Sequence, residues 1–279
     1  MNLICKSAAA VAALLLAPTA GAALETFEAS GANPASINLI DARDAFRAAV
    51  GGGTIAGANG SFGGLRREIN WDGVPDIRAD PNLLPANFFN VNSPRGAVFS
   101  TPGTGFLVSA NAGLSTTTLF GFPNDFQTFS AQRLFTAIDS NITEVTFFVP
   151  GTTTAATTSA FAAIFVDVEV AGLTKMEFFD DSATLIYSRD VLVGGNQGLS
   201  FVGAVARAGE RISRVRLTSG LNTIASNGVL GNQNDDVVVM DDFLYAEPVR
   251  AVSEPSSLAL AGLGLLGGLS WLRRRRHAD

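Results

Sequence analysis

An unbroken apolar run at Ala8 to Ala17 and an uncharged, largely apolar one at 257–272 bracket the chain, and between them apolar and polar residues alternate in short stretches. That alternation has the period of two with which a pleated strand buries one face. Phe147 to Val149, closed by Pro150-Gly151, predicts one strand. Phe161 to Val170, Lys175 to Phe179, Thr184 to Tyr187 and Asp190 to Val193 predict four more. Ile212 to Leu217 alternates cleanly, and Val237 to Val239 with Phe243 to Tyr245 completes the series. Ala42 to Val50 reads as a helix, with Asp41 as its N-cap and Gly51-Gly52-Gly53 as its stop. From Asn59 to Pro102 the chain is rich in Gly, Asn, Asp and Pro. Such a length predicts ordered loops and short strands packed by Trp71, Phe88 and Phe89 rather than a plain connection. Strand spacing and turn density together predict an all-β fold over 24–252: a jelly-roll-like β-sandwich with one short helix.

The apolar runs at the two ends read as targeting segments. Lys6 precedes the first, and the small residues Ala20, Gly21, Ala22 and Ala23 follow it, the order of a secretory signal peptide over 1–23. The second run is followed at once by Arg273, Arg274, Arg275 and Arg276. A helix over 257–272, rising about 1.5 Å per residue, is short for a hydrocarbon core of about 30 Å. Snorkelling arginines and Trp271 at the boundary would cover the deficit. The expectation is a C-terminal transmembrane helix in the inner membrane, arginines on the cytoplasmic side and the body outside. The competing reading is a buried helix ending in a basic patch.

Val252-Ser253-Glu254-Pro255, then the apolar run, then the arginine cluster resemble the PEP-CTERM sorting signal of Gram-negative bacteria, here over 253–279. Ser253 stands where that motif has its first proline. The resemblance implies cleavage near Glu254 and Pro255 by an exosortase-type sorting enzyme. It also implies delivery to the cell surface or matrix, where exopolysaccharide is the expected partner. Arg67 to Asp76, Phe88 to Gly96 and Asp235 to Tyr245 resemble stretches of other exported proteins that carry this signal. That second likeness implies one integrated domain and assigns no activity.

Charge and composition narrow the chemistry. The whole chain carries −6, and removing Lys6 and the four terminal arginines leaves a body more acidic still. Such a body repels nucleic acid and anionic lipid. Cys5 is the only cysteine and His277 the only histidine, and both lie in the end segments. The body therefore has no disulfide, no Ser-His-Asp or Cys-His pair and no His/Cys zinc set. A carboxylate-based glycoside hydrolase would need two acids about 5 to 9.5 Å apart across a cleft. Nothing in the sequence pairs Glu177 with a second acid. The body thus reads as a non-enzymatic cell-envelope or matrix protein, with a carbohydrate-binding module as the alternative. That alternative needs aromatics aligned on a concave sheet face.

Three sets of polar residues are candidates for binding. Glu25 and Glu28 flank Phe27 on the first strand, and Asp241 and Asp242 lie on or beside the last. They resemble the terminal strands of carbohydrate-binding jelly rolls, which are neighbours and hold a structural calcium. The resemblance implies Glu28 and Asp241 as Ca2+ ligands, with Glu25 or Asp242 assisting, and hard oxygens suit that ion. The other reading is solvent-facing strand carboxylates. Secondly, Asp72, Asp76 and Asp80 surround the turn at Gly73, either wrapping a cation or forming an acidic turn anchored by Trp71. Thirdly, Arg66, Arg67 and Arg95 lie beside loop aromatics. They would clamp a carboxylate or stack on a sugar, or else pair with the aspartates.

Overall fold

The computed structural model describes residues 24–111, 113, 118–224 and 236–250. In chain order it contains β1 (Leu24–Gly31), α1 (Ile37–Val50), β2 (Ser61–Phe62), β3 (Arg66–Ile69), α2 (Phe88–Val91), β4 (Ala97–Ser100), β5 (Gly105–Val108) and β6 (Phe135–Ile138). There follow β7 (Ile142–Phe148), β8 (Ala155–Thr157), β9 (Ala160–Val166), β10 (Lys175–Phe179), β11 (Leu185–Asp190), β12 (Leu199–Ala206), β13 (Arg214–Thr218), β14 (Val239–Ala246) and β15 (Val249–Arg250). They form two sheets. The first runs β1-β12-β9-β14-β3-β2, with β6 also on β14 and β5 on β6. The second runs β11-β10-β13-β7-β8-β15, with β4 also on β7.

Sequence pattern explains which sheet is which. β7 and β13 alternate buried and half-exposed residues, because one face of the second sheet meets solvent. β9, β14 and nearly all of β12 are buried at every position, because the first sheet is covered on both faces. One face packs Phe161, Val202, Phe243 and Tyr245 into the core between the sheets. The other packs Ala162, Ile164, Phe201 and Leu244 against α1 and neighbouring loops. Phe46 is the helix's anchor: it is fully buried, with its ring edge-on to Phe27 and Phe201 at 5.9 Å each. Gly203 makes that approach possible, since a Cβ there would stand 2.4 Å from the Ala162 Cβ and 3.0 Å from the Phe46 ring.

Several expectations are adjusted. The helix begins at Ile37, with Ser36 as its N-cap residue, so Asp41 lies inside it. Thr184 to Tyr187 and Asp190 to Val193 are not two strands but one, β11. Val237 to Val239 and Phe243 to Tyr245 likewise merge into β14. The neighbouring first and last strands of a jelly roll are not found: β12 and β9 stand between β1 and β14.

The largest correction concerns the membrane. Among the described residues no helix is long and apolar enough to cross one. The expected span 257–272, with its arginine cluster, lies outside those residues, as does the segment 1–23. The fold is therefore a two-sheet β-sandwich with no transmembrane helix among its described residues. No helix among the described residues supplies the expected inner-membrane anchorage, either as a partner or as a localisation.

Candidate functional site

The site is organised by an irregularity in β14. Against β9, Met240 pairs with Phe165 and Phe243 with Ala163, so Asp241 and Asp242 together oppose one residue. This is a β-bulge, which re-aims side chains at the cost of one ladder position. Met240 and Phe243 both enter the core between the sheets. The two residues between them are thus turned to the opposite face, on the side of α1. On the other edge of β14, pairing passes from β6 at Met240 to β3 at Phe243 across the same bulge.

Asp241 and Asp242 are 0 % and 6 % exposed. The backbone N–H of Phe129 donates to Asp241 Oδ2 at 2.6 Å. Ser130 Oγ lies 3.1 Å from Asp241 Oδ1 and 2.8 Å from Asp242 Oδ1. A hydroxyl has one proton and so serves one of these oxygens. The second contact is attractive only if a carboxyl supplies the proton, so the pair and Ser130 share one more. The electrostatics agree: burial, then the charge of Asp242, pushes Asp241 well above the ordinary carboxylate range. Burial also raises Asp242, against the Ser130 bond that lowers it.

The bulge also gathers the acidic turn. Trp71 Nε1–H donates to the Asp241 carbonyl at 2.8 Å. Its ring stacks on Phe135 at 4.0 Å and stands edge-on to Phe243 at 5.1 Å. Trp71 holds φ of +64°, an uncommon backbone state for a bulky residue, kept in place by that packing. Asp72 accepts from the Arg133 backbone N–H at 3.2 Å and from the Asn70 amide at 3.1 Å. Burial pushes Asp72 up to about 6. Asp76 binds the guanidinium of the fully buried Arg133 at 2.5 Å.

The other candidates fall elsewhere. Glu28 accepts from Arg189 Nε at 2.7 Å, across the edge of the sandwich from β1 to β11. Glu25 accepts from Arg207 Nε at 2.7 Å. Neither meets Asp241, which lies three strands away within the same sheet. Among the described residues no group of three or more His, Cys, Asp or Glu is placed to hold a metal ion. Arg67 grips Glu247 in a fork, with two bonds of 2.8 Å. Arg66, 2 % exposed, binds Glu68 at 2.7 Å and the carbonyls of Gly51 and Gly53. Two of the three glycines, Gly51 and Gly53, thus serve as acceptors for Arg66. Trp71 is buried, and among the described residues no aromatic is one of the exposed large apolar side chains.

Arg95 differs from these arginines. It lines two hollows, one of about 630 Å³ with Asp242, Ser130, Phe129 and Arg43, the other of about 390 Å³ with Trp71 and Phe89. Sequence reasoning missed Ser130, Arg133, Glu68 and Arg47, the groups that pair the acids and bases above. No local signal marks them, because their partners are brought close only by strand order.

Residues 251–276 match the model of the PEP-CTERM protein-sorting motif. No curated protein matches the chain. Ser253, Glu254, Pro255 and Arg273 to Arg276 lie outside the described residues.

Proposed function

We propose that the chain is a non-enzymatic cell-envelope or extracellular-matrix protein, exported by its N-terminal segment and trimmed by an exosortase-type enzyme. The observation that carries this reading is the sorting motif over 251–276. It begins directly after β15, which ends at Arg250, so cleavage near Pro255 would leave the whole sandwich intact. Supporting the non-enzymatic part, the chemically able groups are engaged in holding the fold. Arg67 is tied to Glu247, Arg133 to Asp76, and Asp241 with Asp242 to Ser130. Two acids bonded to one hydroxyl do not face each other across a substrate, as paired glycosidase carboxylates do. Mass spectrometry of the mature protein from its native host tests the reading. The expected chain starts near Leu24 and ends near Pro255; recovery only of a form ending in Asp279 would overturn the processing.

A further inference from the structure

Residues 127–133 lie on the bulge of β14 as a strap between two buried anchors, Phe126 and Leu134. Among the described residues, 127–132 make no main-chain to main-chain hydrogen bond. Side chains hold the strap instead. At its start Gln127 donates to the carbonyls of Ala32 and Gln197. Its middle hangs on the bulge: the Phe129 N–H donates to Asp241, and Ser130 Oγ contacts both Asp241 and Asp242. Its end hangs on the turn after β3, where the Arg133 N–H donates to Asp72. Three carboxyl groups thus supply the main polar hold beyond Gln127.

A fully ionised pair could not keep this arrangement. One hydroxyl proton cannot serve two carboxylates. Two negative charges in a desolvated position repel, and each gains by meeting water. The strap is what covers them: Asp241 Oδ1, Asp241 Oδ2 and Asp242 Oδ1 all face Phe129 or Ser130. Water therefore reaches the pair only if the strap moves.

The neighbouring charges do not relieve this. Glu68 on β3 and Asp72 on the turn after it add negative charge, and Arg47 on α1 opposes them. Arg47 is itself bonded to Glu68, Arg43 to Asp44 beside the Phe129 ring, and Arg133 to Asp76. Arg95, in the hollow that Asp242 also lines, turns Nη1 to the Glu68 carbonyl. Burial raises all three carboxyls of the strap, Asp72 to about 6. Glu28, the calcium ligand expected opposite Asp241, lies three strands away. A proton, rather than that bridge, is what the pair shares.

We propose that the strap is a proton-operated latch, closed while Asp241 and Asp242 share a proton and lifted when both are ionised. It is fastened at low pH and released as pH rises through the folded-state values of the two acids. Phe129 and Ser130 line a hollow of about 630 Å³, and Gln127, Thr128 and Gln132 another of about 520 Å³. Lifting the strap would open both, so pH sets access to them.

Amide hydrogen exchange of the purified full-length protein tests the latch, read by mass spectrometry at about pH 5 and about pH 9 and corrected for intrinsic rates. Peptides over 127–133 should lose at least about tenfold in protection at the higher pH, and β9 should lose less. In Asp241→Asn the amide supplies its own donor to Ser130 or Asp242, so the strap should keep the same protection at both values. Calcium chloride at the higher pH should not restore protection in the parent. Unchanged strap exchange in the parent, an equal fall in β9, or a full fall in Asp241→Asn would each overturn the latch. Protection restored by calcium would overturn the proton as what fastens it. The parent comparison needs no substitution, so it decides even if Asp241→Asn does not fold.

Discussion

Asp241 and Asp242 stand at the point where β14 exchanges one neighbour for another, and their protons belong to the fold. Charged groups facing them come from several elements: Asp72 from the turn after β3, Glu68 from β3 and Arg47 from α1. A carboxyl whose pKa is raised by folding keeps a proton that the unfolded chain releases near pH 4. The stability it contributes is complete below about pH 4 and is lost as pH rises through the folded-state value. That value is about 6 for Asp72 and about 7 for Asp167, both raised mainly by burial. The protein should therefore lose stability between about pH 4 and pH 8. Asp241→Asn keeps an acceptor for the Phe129 N–H and brings a donor for Ser130 or Asp242. It should melt at pH 8 at or above the parent temperature, with a shallower pH dependence. Asp241→Ala strands the Phe129 N–H and should cost about 1–3 kcal/mol at every pH. If the asparagine variant melts as low as the alanine variant at pH 8, the shared proton is disproved.

At the scale of elements, α1 is held by burial rather than by its own sequence. It has no acidic residue in its first turn and no side-chain cap bond. Isolated helices of this length are marginal in water, so docking of Leu39 and Phe46 on β1 and β12 must supply the stability. Phe46→Ala should destabilise the protein by about 3–5 kcal/mol, read as a lower urea midpoint. A loss under about 1 kcal/mol would show that the helix contributes little to the fold. The Glu28–Arg189 pair is a contrasting case. Its side chains are 22 % and 47 % exposed, so solvent screening leaves it worth little. It joins the two sheets at one edge, together with the contact between Thr26 and Tyr187 hydroxyls at 3.2 Å.

For the molecule as a whole, the two sheets are interleaved along the chain. The first draws β1, β2, β3, β5 and β6 from the early part and β9, β12 and β14 from the later part. The second takes β4, β7 and β8 along with β10, β11, β13 and β15. Cutting anywhere between β7 and β12 would strip partners from both sheets and expose the core. The body should thus unfold in a single transition, and limited proteolysis should release no pair of stable halves. Two separable, folded fragments would show that the sandwich is not one cooperative unit.

Much of this architecture was legible in the order of residues. Alternation at Ile212 to Leu217 marked a half-exposed strand, and Val215 and Leu217 are indeed its buried side. Phe161 to Val170 marked a strand, and the structure shows β9 within it buried at every position. The terminal motif at 251–276 was recognisable from its three parts alone. These signals are local, because side-chain period and motif spacing follow from neighbouring residues. Partnership is not local. Glu28 finds Arg189 across 161 residues, and Asp242 finds Ser130 across 112. Likewise the bulge exists only as a mismatch of register between β14 and β9. Strand order therefore decided that the acids of β1 would meet arginines, that those of β14 would share a proton, and that Arg95 alone among these arginines would be left without a carboxylate.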